Sequence, residues 1–109
     1  MIYEYFVVLT TCPDETTAEN LARRLVEERL AACVNRVAGI RSTYWWQGAV
    51  QDDQEVLLVA KTSADRVATL CARIQELHPY EVPEAIALPV ALGAERYLAW
   101  IGQTLASPT

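Results

Sequence analysis

Histidine occurs once in this chain of 109 residues and cysteine three times, and 9 Lys and Arg stand against 14 Asp and Glu, a formal net charge of −5. Without a surplus of Lys and Arg the chain cannot draw on counterion release from a phosphate backbone, which excludes nucleic acid as an expected partner. Cys12, Cys33 and Cys71 are an odd number without CxxC spacing, so they support neither a disulfide framework nor a structural zinc site, and reduced thiols are the simplest state. The longest apolar runs, such as Val56 to Ala60, fall far short of the roughly 20 residues that cross a bilayer, so no membrane insertion is expected. Met1-Ile2-Tyr3-Glu4-Tyr5 has no basic segment leading into an apolar stretch and cleavage site, which makes the cytoplasm the expected compartment. No phosphate loop, HExxH, nucleophile elbow or dinucleotide fingerprint occurs, which counts against the commonest enzyme classes.

What is present is an alternation of two periodicities. Tyr3 to Thr10 is β-branched and aromatic and predicts a first strand buried on both faces. After Cys12-Pro13-Asp14, apolar residues at Ala18, Leu21, Ala22, Leu25 and Val26 fall on one stripe of a helix over 14–29. A long second strand follows from Ala32 to Trp46, with Gly39 as a bulge, and Gln47-Gly48 turns the chain into a third strand, Val50 to Thr62. Its body, Glu55 to Lys61, reads as buried on both faces, and Asp52-Asp53 reads as a solvated acidic tip of the hairpin. Ser63 is placed to cap a second helix carrying Val67, Leu70, Cys71, Ile74 and Leu77, which ends near His78 before Pro79. Ala85 to Leu88 predicts a short fourth strand, confined to an edge by Pro89, and Ala94 to Leu105 a last helix with Tyr97, Leu98, Ile101 and Leu105 inward.

The order βαββαβ plus a C-terminal helix predicts a single α+β domain over 1–109, a ferredoxin-like sandwich with a long hairpin between its second and third strands. One four-stranded sheet cannot shield a hairpin arm ending in Tyr44, Trp45 and Trp46. Chains are expected to associate and cover it, with those aromatics as interface anchors.

Several segments carry a family resemblance: Thr10-Thr11-Cys12-Pro13, Leu25-Val26-Glu27-Glu28-Arg29-Leu30-Ala31-Ala32-Cys33-Val34-Asn35, Tyr44-Trp45-Trp46-Gln47-Gly48, Glu55, Lys61-Thr62, His78-Pro79-Tyr80-Glu81-Val82-Pro83-Glu84 and Tyr97-Leu98-Ala99-Trp100. In order and spacing they resemble the CutA divalent-cation-tolerance family over essentially the whole chain. The resemblance implies a ferredoxin-like homotrimer, similar in design to the PII signalling proteins, in which long hairpins reach onto neighbouring subunits. It also implies tolerance of divalent cations and copper binding, and eukaryotic relatives are associated with anchoring of acetylcholinesterase. Copper-binding members use a thiol at the end of strand one and a second histidine beside the one at 78. Here those places hold Thr10 and Leu77.

Two groups of candidate residues follow. His78 and Cys12 are the candidate ligands for copper or another divalent cation: imidazole and thiolate suit such ions, and a cysteine at the start of a helix can have a lowered pKa. The alternatives are a helix C-cap for His78 and a packed loop residue for Cys12, while Cys33 and Cys71 fit small core hydrophobes. Lys61, His78, Tyr80 and Glu84 form a candidate ligand cleft at the sheet's rim between subunits, or else an ion-pair network that holds the trimer. The function expected from all this is a non-enzymatic trimer that binds a metal ion or small ligand at intersubunit clefts. A scaffold for a protein partner and a Cys12-dependent enzyme are the alternatives.

Overall fold

Alternation along the first strand decides which way its side chains point, and the rest of the fold packs on that choice. A computed structural model describes residues 2–106. Strand β1 (Tyr5–Cys12) lies between β3 (Ala49–Ser63) and β4 (Ile86–Pro89), while β2 (Cys33–Trp46) pairs, among the described residues, only with β3. The sheet order is β2-β3-β1-β4, with every neighbouring pair antiparallel. This is the ferredoxin-like plan, extended by a C-terminal helix.

On one face Val8, Thr10 and Cys12 sit opposite Ala60, Leu58 and Val56. All six are buried beneath α1 (Glu15–Glu27) and α2 (Val67–Leu77), whose Ala18, Leu21, Leu25, Leu70 and Ile74 complete the main core. The other face carries Val7, Leu9, Leu57 and Val59, only half-buried. β1 and the body of β3 are thus buried on one face, not both, within a single chain. β1 also starts and ends two residues later than the sequence predicts, so Cys12 belongs to the strand.

Asp14 caps α1 by accepting the Thr17 N–H at 2.7 Å. The helix closes with Arg29 in the left-handed region (φ 56) and with the Leu30 N–H on the Leu25 carbonyl. Ser63, predicted to cap α2, instead precedes a 3-10 turn over Ala64–Arg66, and its side chain caps no backbone group. The last helix, α3 (Glu95–Ala106), buries Ile101 and Leu105 against Ala32 and Tyr5. Gly102 permits that approach, because a Cβ there would lie 3.0 Å from the Tyr5 hydroxyl. Arg29 donates to the Thr104 carbonyl at 2.7 Å, and Arg66 donates to the carbonyls of Arg29 and Leu105, tying α3 to the end of α1. Tyr97 departs from its predicted inward position. It stacks on Trp100 with ring centroids 5.6 Å apart, and both stay exposed.

Beyond a register shift between Val37 and Ile40, where Gly39 takes φ 80, β2 and the first part of β3 leave the sheet as a two-stranded arm. Gln47 (φ 50) and Gly48 (φ 80) turn its tip, the left-handed pair that suits a two-residue hairpin. Asp52 and Asp53 are not at the tip: they lie along β3, opposite Thr43 and Ser42. Asp52 pairs with Arg41 at 2.6 Å, and Asp53 accepts the Tyr44 hydroxyl.

Candidate functional site

After α2 the chain runs past the end of β1 on its way to β4, and it is pinned there by His78. The imidazole Nε2 lies 2.7 Å from the Thr11 carbonyl oxygen, and Nδ1 lies 3.1 Å from the Tyr80 backbone nitrogen. A carbonyl can only accept and an N–H can only donate, so Nε2 carries the proton and the Nδ1 lone pair is taken. His78 is 7 % exposed, and its ring sits 4.6 Å from that of Tyr80. Both ring nitrogens are therefore occupied by the chain itself. The backbone N–H of His78 caps α2 on the Ile74 carbonyl.

Pinned in this way, Tyr80 donates its hydroxyl to Glu55 Oε2 at 2.6 Å. Burial first, then that hydrogen bond and the Glu55 charge, hold the Tyr80 phenol well above its ordinary range. Glu55 is 6 % exposed; its other oxygen has no hydrogen-bond partner, and no Lys or Arg pairs with it, among the described residues. Glu84 stands nearer the surface, its carboxyl raised by partial burial and secondarily by Glu55.

These groups line an open cavity of about 750 Å³. Thr11 and Glu55 come from the sheet, Tyr44 and Trp46 from the arm, and Tyr80, Glu81 and Glu84 from the loop. Tyr80 and Glu84 thus line one cavity, with His78 supporting Tyr80 from behind. Lys61 does not join them within the chain. It lies six residues along β3 from Glu55, ~20 Å at ~3.3 Å per residue, where it donates to Asn35 and approaches Cys33 Sγ at 4.0 Å. Tyr44 and Trp46 line the cavity, whereas Trp45 alternates to the other side of the arm and is 74 % exposed.

Cys12 is not a thiol at a helix N-terminus. As the last residue of β1 it is wholly buried in the main core, and burial, followed by the charges of Asp14 and Glu55, pushes it up to about 11. The expected lowering of its pKa is reversed. Among the described residues no three His, Cys, Asp or Glu side chains converge as metal ligands. Thr10 is buried with its hydroxyl unpartnered among the described residues, and Leu77 packs against the core.

Glu55, though among the residues that carry the resemblance, was missed as a site residue because it opens an apolar run and looks like one more strand residue. Its signal was its charge: a carboxylate that heads Val56-Leu57-Leu58-Val59 needs a partner, and the hydroxyl that meets it, that of Tyr80, lies 25 residues away.

The family described as "CutA1 divalent ion tolerance protein" matches residues 6–104. The chain is 54% identical over 95 residues to the "Divalent-cation tolerance protein CutA" of Thermus thermophilus, covering 87% of this chain and 92% of that one. The structure of CutA from Xylella fastidiosa superposes with a TM-score of 0.90 at 46% identity, over 93% of this chain and 97% of that one. A structure from Archaeoglobus fulgidus, described as a periplasmic divalent cation tolerance protein CutA, gives 0.89 at 33% identity, over 93% and 98%. Across nearly its whole length, therefore, this chain belongs to the CutA1 divalent ion tolerance family.

Proposed function

We propose that the chain acts as a homotrimer in tolerance of, or response to, divalent metal ions, and that it binds a small ligand or metal ion in the cleft around Glu55, Tyr80 and Glu84, which neighbouring copies help to enclose. The observation that carries the cleft reading is Glu55, a carboxylate 6 % exposed that lines the cavity, holds one oxygen on Tyr80 and has no Lys or Arg paired with it among the described residues, since buried charges are otherwise paired. Assembly is supported by the uncovered apolar face of the sheet and by the arm. No helix among the described residues is long and apolar enough to cross a membrane, and residence in the cytoplasm is part of the proposal.

The reading is of a binding protein and not an enzyme, because the candidate nucleophile, Cys12, holds its proton at neutral pH. Copper is a weak ligand in this reading. To use His78 it must displace a backbone partner from a ring nitrogen, and to use Cys12 it must open the core. Light scattering at micromolar concentration and copper calorimetry on the native protein, His78→Ala and Cys12→Ser test the proposal. A mass of three chains and weak copper binding are expected. A monomer mass, or tight stoichiometric copper binding that survives both substitutions, overturns it.

A further inference from the structure

The geometry points to an organic cation, an alkylammonium or guanidinium group, as the ligand class of this cavity, received by the Glu55 carboxylate between the aromatic side chains of Tyr44, Trp46 and Tyr80. The inference rests on the cleft reading above and names what enters the cleft.

Charge comes first. Among the described residues of one chain, Glu55, Glu81 and Glu84 line the cavity and no Lys, Arg or His does, so the field this chain contributes is negative and disfavours carboxylates and phosphates. Glu55 is nine-tenths buried, one oxygen is held by Tyr80, and the other is uncommitted. Glu84's carboxyl is raised by partial burial and secondarily by the Glu55 charge, a condition that a bound cation relieves.

The walls then decide between kinds of cation. A divalent metal needs several oxygens converging at about 2.0–2.6 Å, and the described residues place no such set together. Three aromatic side chains suit instead a weakly hydrated, spread-out charge, attracted to ring faces within ~6 Å and worth ~0.5–2 kcal/mol per ring. The space, about 750 Å³, takes a small organic ligand rather than a bare ion. One carboxylate and a set of rings are what an alkylammonium or guanidinium requires, and here they share one cavity.

The test uses the intact protein, with tetramethylammonium and guanidinium at low concentration as probes, tert-butanol as a neutral analogue and acetate as an anion. The indole N–H signal of Trp46, assigned with Trp46→Phe, reports occupancy. Saturable binding of the cations alone is expected, weakened about tenfold by Glu55→Gln, while Glu76→Gln on the exposed side of α2 changes nothing. Should Glu55→Gln fail to fold, Glu84→Gln on the rim is expected to weaken binding about threefold. An equal response to tert-butanol, affinity unchanged in the variants, or no saturation by about 100 mM overturns the inference. Light scattering and copper calorimetry on the same samples separate the two readings. A trimer that binds metal but not these cations sinks only the ligand class, whereas a monomer that binds them sinks only the assembly.

Discussion

Thr10 and Cys12 occupy neighbouring inward positions of β1, and each presents a polar atom to an apolar core. The Thr10 hydroxyl has no partner among the described residues, and an unsatisfied buried hydroxyl costs ~1–3 kcal/mol. Thr10→Val keeps the shape and removes the orphan. It should raise stability by about 1 kcal/mol in urea unfolding, and a loss of stability would show that the hydroxyl has a partner. Cys12 carries a pH dependence whose sign follows from its raised pKa, about 11 against 9.0 for an ordinary thiol. Below pH 9 both folded and unfolded thiols are protonated and the full stability is present. As pH rises from 9 towards 11 the unfolded thiol ionises first, and on the order of 2 kcal/mol is lost. Denaturation midpoints of the native protein should fall more steeply over that range than those of Cys12→Ala; parallel curves would contradict the buried thiol. Neither property was legible beforehand. Cys12-Pro13-Asp14 reads locally as a breaker that starts a helix, whereas pairing of Cys12 with Val56 keeps it in the strand and turns it inward.

At the scale of elements, what depends on nearby residues was legible and what depends on register was not. The apolar stripes of α1 and α2, the Gly39 bulge and the Gln47-Gly48 turn all follow from spacings within a few residues. Tyr80 and Glu84 were recognisable as polar groups near the sheet's rim, but their meeting with Glu55, and the removal of Lys61 to the other end of β3, depend on pairing between distant strands. Asp52 and Asp53 were misplaced although the turn was legible: the tip ends at 47–48 and leaves both within the first part of β3. The turn itself yields a prediction. Gln47 adopts φ 50, which costs a non-glycine residue energy that asparagine bears more easily. Gln47→Asn should stabilise the protein by about 0.5 kcal/mol, and Gly48→Ala, which meets no atom within 4 Å yet keeps φ 80, should destabilise it by about 1 kcal/mol. Thermal unfolding of both variants checks the pair, and a neutral Gly48→Ala would mean that the turn relaxes.

On the scale of the whole molecule the second face of the sheet lies uncovered within one chain. α1 and α2 cover one side, while α3 reaches only the end near Tyr5. Val7, Leu9, Leu57 and Val59 are left half-buried, and on edge strand β4 Ile86 and Leu88, paired with Leu9 and Val7, are 51 % and 49 % exposed. A contiguous apolar face beside an edge strand is what association of identical chains removes. If three copies bury it, a carboxylate placed there must lose its water without gaining a cation, a penalty of several kcal/mol per chain. Leu88→Glu should therefore lower the mass in solution from three chains towards one, whereas Leu92→Glu, at a position 92 % exposed, should leave it unchanged. Because dissociation would expose the same face that unfolding does, the native protein should be unusually resistant to heat, with a melting midpoint that rises with protein concentration. That dependence should vanish in Leu88→Glu. A Leu88→Glu protein that keeps the full mass, together with a native melt independent of concentration, would mean that this face stays open and that the arm is covered by something other than a second copy.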